Sequence, residues 1–216
     1  MGTGFLIHPD VVLTAAHVLH DPQNGPASQA TFTPGCLFDP ESGAVVGRDR
    51  SLTVDRSRYR VADGWSTDKS SIHHDYGAIF LPDADRYQRC GYLEPRVEDD
   101  EYYLRNAAQE AIRFWVAGFP QSKRRGTQWY ARGWLRGAGP TSVRHYIDTT
   151  EGQSGAPLFA IGLDQNRKNI AVALGVHTRG ASGDGVFNEA RRIDKRMMAD
   201  IERWYAEINR GATFRR

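Results

Sequence analysis

Turn residues punctuate this chain so often that few segments have room to be helices. Stretches rich in β-branched and aromatic residues, each bounded by Gly, Pro, Asp or Asn, follow one another. They are Gly4 to Ile7, Val11 to Ala15, Ser51 to Val54, Tyr76 to Leu81, Ile112 to Ala117, Trp129 to Leu135, Val143 to Ile147, Pro157 to Ile161 and Ile170 to Val176. Helices do not alternate with them, so the pattern predicts an antiparallel barrel or sandwich and argues against a parallel sheet. At 216 residues the chain has room for one or two domains, and at 40% hydrophobic it has the material for a sizeable core. Disordered, collagen-like and low-complexity classes are excluded on that ground.

Two regions break the strand pattern. From Pro82 to Glu110 the chain turns polar and carries the acidic run Glu98-Asp99-Asp100-Glu101, which reads as a linker between halves, with a short helix near Leu104 to Ala111. Near the end, Ile193, Met197, Ile201, Trp204 and Ile208 recur at steps of 4, 4, 3 and 4, one face of an amphipathic helix. Asn188 and Asp194 are its candidate caps, and the apolar stripe is expected to pack on the sheet.

Charge and cysteine content exclude several function classes. Lys and Arg total 28 against 26 Asp and Glu, a balance that gives no electrostatic reason for a nucleic-acid or membrane partner. Arg124-Arg125, Arg191-Arg192 and Arg215-Arg216 read as solvated surface. Cys36 and Cys90 are too few for a disulfide framework and too far apart for a zinc site; they are read as unpaired thiols, with a single bridge open if the chain is exported. His17 with His20, and His73-His74 beside Asp75, make no recognisable ligand set, and Gly2-Thr3-Gly4 lacks the rest of a phosphate loop. Neither a metal nor a cofactor is expected. No run of 18 apolar residues occurs, and the first residues do not read as a signal peptide, so a cytosolic chain, or a module of a larger protein, is as plausible as a secreted one.

Three segments carry chemistry. Leu13-Thr14-Ala15-Ala16-His17 ends a hydrophobic strand on a histidine. His74-Asp75-Tyr76-Gly77-Ala78-Ile79-Phe80-Leu81 places an aspartate at the mouth of another. Thr149-Thr150-Glu151-Gly152-Gln153-Ser154-Gly155-Ala156-Pro157 sets a serine between glycines before a third. Each alone has a plain structural reading. Together they supply a nucleophile, a base to take its proton and a carboxylate to fix the base's tautomer. The order His, Asp, Ser is that of the chymotrypsin class. The α/β-hydrolase order, Ser, Asp, His, does not fit, and neither does that class's Gly-x-Ser-x-Gly elbow.

These segments resemble the trypsin-like serine peptidases, and the serine loop resembles their bacterial glutamyl endopeptidase branch: Asp148-Thr149 and Gln153-Ser154-Gly155-Ala156-Pro157 match its nucleophile loop. Trp115-Val116-Ala117-Gly118-Phe119-Pro120 is similar to the strand opening the second barrel, and Gly175-Val176-His177-Thr178-Arg179-Gly180 to the strand lining the specificity pocket. The resemblance implies an all-β fold, a double antiparallel β-barrel with a C-terminal helix. Residues 1–100 would form the barrel carrying His17 and Asp75, and residues 101–216 the barrel carrying Ser154 plus the helix.

It further implies a serine endopeptidase acting on protein or peptide substrates, with Ser154 as nucleophile, His17 as base and Asp75 as orienting carboxylate. The amides of Gly152 and Ser154 would form the oxyanion hole. Thr149 and His177, with Arg179 at the rim, would recognise an acidic side chain, so that cleavage follows Glu. Asp148 keeps open a competing preference for Arg or Lys, and a catalytically silent, protease-like binding module is the alternative from another class. Two departures from the family stand out. Val18 occupies a position where many relatives have cysteine, and Gly4 to Ile7 already resembles the family's second strand, with no earlier strand before it.

Overall fold

The computed structural model describes residues 1–35, 37–38, 45–46, 51–83, 85–110, 112–124, 126–163, 169–181 and 186–214. Two curled antiparallel sheets and a terminal helix dominate it. The first sheet takes its strands from β1 (Gly4–His8), β2 (Val11–Thr14), β5 (Tyr59–Val61) and β6 (Gly77–Phe80), in the order β1-β2-β6-β5. A separate pair joins β3 (Gln29–Phe32) to β4 (Leu52–Asp55). The second sheet contains β7 (Phe114–Gly118), β8 (Trp129–Gly133), β9 (Leu135–Ala138), β10 (Ser142–His145), β11 (Pro157–Leu163), β12 (Asn169–Arg179) and β13 (Asn188–Arg192). Its order is β8-β7-β11-β12-β13-β10-β9, with Glu94–Pro95 running parallel beside β12.

Why the central strands read as continuous apolar runs is plain from their surroundings. Side chains alternate across a strand, and here both faces of the first sheet are covered. Phe5, Ile7, Val11, Leu13, Ala78 and Phe80 point into one core, which the terminal helix closes with Met197, Ile201 and Trp204. Leu6, Val12 and Ile79 point into another, with Tyr59 and Tyr87. The second sheet folds around Phe114, Val116, Leu135, Val143, Leu158 and Leu174. Burying side chains of this size stabilises by roughly 1.5–3 kcal/mol each.

The terminal helix, α3, spans Lys195–Ile208, following α1 (Ala16–Leu19) and α2 (Asp100–Gln109). Its apolar face packs on the sheet as the periodicity predicts. Asp194 is the cap, accepting from the Met197 amide at 2.8 Å, whereas Asn188 belongs to β13.

The structure corrects three expectations. Pro82 to Glu110 is no bare linker: Tyr87 and Tyr103 within it are buried, and α2 starts at Asp100, four residues before the predicted helix. The acidic run is that helix's beginning, with Asp99 accepting from the Tyr102 amide and acidic side chains in the first turn, where the helix dipole favours them. Trp129 to Leu135 is two strands divided at Trp134. Most consequentially, Arg191 and Arg192 are not solvated; they are 1% and 5% exposed. Arg124 is exposed, while Arg125, Arg215 and Arg216 lie outside the described residues, as does Cys36; Cys90 is an exposed free thiol.

The strand β1 ends its sheet, and a groove of about 1090 Å³ separates it from β3, lined by Gly4, Thr31 and Phe32 among others. Among the described residues no helix is long and apolar enough to cross a membrane.

Candidate active site

Strand β2 delivers the histidine. Its last residues give way to Ala15 and Ala16, both fully buried, and the chain turns into α1 with His17 in its first turn. Asp75 follows a short 3-10 turn, Ile72–His74, just before β6, and is 3% exposed. Because β2 and β6 are neighbours in register, with Gly77 opposite Thr14, the two side chains emerge at the same end of the sheet. His17 Nδ1 lies 2.8 Å from Asp75 Oδ2 and 3.0 Å from Oδ1, and the His17 amide donates to Oδ1 at 3.1 Å. A carboxylate so placed holds the ring proton on Nδ1 and leaves Nε2 as the acceptor.

The second sheet delivers the serine on the loop entering β11, and two glycines shape that loop. Gly152 has φ +93° and Gly155 φ +88°, a region costly for any residue with a Cβ. Space forbids a Cβ as well: at Gly155 it would sit 2.0 Å from the Thr3 carbonyl and 2.2 Å from Thr14 Oγ1, and at Gly152 2.7 Å from the Phe119 carbonyl. The loop is pinned on both sides. Thr3 donates its amide to the Ser154 carbonyl at 2.8 Å, Gly155 donates to the His177 carbonyl at 2.7 Å, and the Gln153 side chain accepts from the Thr150 amide at 2.8 Å. Val18, next to His17, and the Ser154 carbonyl both border Gly2, so the end of β2 and the serine loop meet there. The close packing of Gly155 against Thr14 and Ala15 accounts for the small residues that precede His17.

Beside Ser154 lies a cleft of about 380 Å³ whose walls include Asp148, Thr149, Glu151, His177 and Asn188. Asp148 is exposed, whereas His177 is 3% exposed. Two buried polar atoms of this wall have no partner: Thr149 Oγ1 and His177 Nδ1. Burial, and next the positive charge His17 would carry, lower the His177 pKa to about 4, so the ring is neutral near pH 7. Arg179 is not part of the wall. A register shift between His177 and Arg179 interrupts β12 there, and the guanidinium donates to the Ser70 carbonyl.

One residue of this region was not anticipated. His145, on β10, is fully buried with its ring centroid 5.5 Å from that of His177, edge-on. It accepts from the Ile147 amide at Nδ1, and its Nε2 has no partner. Burial first, then the charge of His177, lower its pKa to about 3. The available signal was the alternation in β10, which turns Val143 and His145 to the same, buried side.

The curled antiparallel sheets, with His17 and Asp75 on the first and Ser154 on the loop entering β11 of the second, define a chymotrypsin-like fold. The trypsin-like peptidase domain model matches residues 2–162, so the chain belongs to the trypsin-like family of serine endopeptidases. It is 28% identical over 203 residues to a glutamyl endopeptidase of Bacillus licheniformis, an alignment covering 94% of this chain and 58% of that one. It is 27% identical over 202 residues to a Bacillus subtilis protein named extracellular metalloprotease, covering 94% and 57%. The chain thus spans less than two thirds of these curated relatives' length. A solved Glu endopeptidase superposes with a TM-score of 0.73 at 20% identity, covering 95% of this chain and 85% of that structure. Among the described residues no cluster of three potential metal ligands occurs.

Proposed function

We propose that the chain is a serine endopeptidase that cleaves after acidic residues, Glu above all. The observation that carries the reading is the buried Asp75 carboxylate bonded to both the amide and the ring of His17, with the glycine-bracketed serine loop packed against the end of the strand that leads to His17. In the reaction, His17 Nε2 takes the Ser154 hydroxyl proton as Oγ attacks the scissile carbonyl. The amides of Gly152 and Ser154 receive the negative charge that develops on the carbonyl oxygen. His17 then returns the proton to the leaving amine, and water releases the acyl group from Ser154 by the same steps.

Substrate preference rests on Thr149 and His177, the two side chains that line the cleft with Ser154 and that each have a buried polar atom without a partner. A hydroxyl and a neutral imidazole can each donate to a carboxylate, and such charge-assisted bonds are stronger than neutral ones. A Glu carboxylate in the cleft would accept from the Thr149 hydroxyl and from the N–H of the His177 ring, whereas this neutral pair offers no negative charge to a Lys or Arg side chain. Asp148 favours the opposite preference, for Lys or Arg, and lies at the exposed side of the same cleft.

Peptides differing only in the residue before the cut decide between the two. The expected result is Glu well ahead of Gln, with Lys and Arg poor; preference for Lys or Arg would overturn the acidic pocket. Ser154→Ala is expected to lower kcat by about 10⁶, since triad members act as a unit. Retained cleavage by that variant would overturn the assignment of Ser154, and failure of the wild type to label with a fluorophosphonate would favour the silent binding module.

A further inference from the structure

Asp75 and His17 are carried by the first sheet and Ser154 by the second, so the chemistry depends on how the two are registered. The turn bearing Asp75 lies outside the strands, and it is held from the far side. Arg191, on β13 of the second sheet, donates Nε–H to the His73 carbonyl at 2.9 Å, two residues from Asp75. Its other nitrogens reach the Asp194 carboxylate at 2.8 Å and the Thr141 carbonyl at 3.3 Å. The guanidinium lies 5.0 Å from the centroid of the Tyr76 ring. Tyr76, adjacent to Asp75 and fully buried, donates its hydroxyl to Asp200 on α3 at 2.6 Å. His73 adds a hydrogen bond to Thr141 Oγ1, the residue that precedes β10.

A buried guanidinium is expensive unless its fork is fully engaged, and a lysine cannot reproduce the fork. Here the fork joins β13, the cap of α3 and the main chain beside Asp75. We infer that Arg191 is a positioning residue, assisted by the Tyr76–Asp200 bond: it registers the carboxylate-bearing turn of the first sheet against the sheet that carries the serine. The inference rests on the proposed peptidase function. A purely structural tie would lower thermal stability and leave turnover of the folded enzyme alone; a positioning tie changes turnover while substrate affinity stays.

Arg191→Lys and Tyr76→Phe, assayed on Glu-containing peptides well below each variant's own Tm, separate the two. For Arg191→Lys, kcat is expected to fall about ten- to a hundredfold with KM within about twofold, because misplacing a catalytic pair by an ångström costs that much. Fluorophosphonate labelling at saturation should slow by the same factor. Tyr76→Phe, which keeps every Arg191 bond, should show a smaller loss of about three- to tenfold in kcat alone. Wild-type kcat in the folded variants, even with a lowered Tm, would overturn the inference. If Arg191→Lys does not fold, Tyr76→Phe decides alone. Failure of the peptidase reading has a separate signature, since it appears in the wild type and in Ser154→Ala, before either variant is made.

Discussion

Two histidines lie close enough for their charges to interact, in opposite surroundings. The side chain of His17 is 25% exposed and has a carboxylate for Nδ1, which in the proposed reaction would compensate a proton gained at Nε2. His177 is sealed in, leaves Nδ1 without a partner and has a second buried histidine at its edge. The difference is one of solvation and partner. The same imidazole is suited to accepting protons in the first place and to staying neutral, as a hydrogen-bond donor, in the second.

The contrast can be broken from either side. Asp75→Asn removes the carboxylate and favours the wrong tautomer of His17; kcat is expected to drop by about 10⁴ with little change in KM, measured by steady-state kinetics. His177→Leu takes the proposed donor from the cleft. Its expected effect is a roughly ten- to hundredfold loss in the kcat/KM ratio of Glu over Gln peptides, the scale of one hydrogen bond to a charge. An unchanged ratio would move recognition elsewhere.

The smallest effect is on stability. His145 and His177 protonate near pH 6.5 when unfolded but near about 3 and about 4 when folded, so between these limits the unfolded chain binds more protons. Their contribution is fully present above about pH 6.5 and is lost as pH falls toward 4 and 3. Calorimetry should therefore show Tm falling between pH 7 and pH 4.5, and His145→Leu should flatten that slope.

Much of the candidate site was legible because its segments carry local signals. A strand ending in Ala15-Ala16-His17 and a serine between glycines announce themselves, since backbone positions that reject a Cβ admit almost nothing else. The register between β2 and β6 then aligns His17 with Asp75. What escaped is non-local. Tyr59–Val61 and Asn188–Arg192 are strands with too much polar character to look like strands. Arg191 and Arg192 look like surface because their partners lie far off in the chain: the His73 carbonyl is 118 residues away, and Asp100 is 92 from Arg192. His145 is hidden for the same reason, since nothing near it in sequence marks its neighbour as another buried ring.

Asp194 divides its carboxylate between two tasks, one oxygen closing the start of α3 and the other holding Arg191. Fraying of the C-terminal helix would therefore not stay at the C-terminus: it would loosen the guanidinium, then the His73 carbonyl, and so reach the turn that carries Asp75. The end of the chain is thereby coupled to the turn that carries Asp75, far from it in sequence.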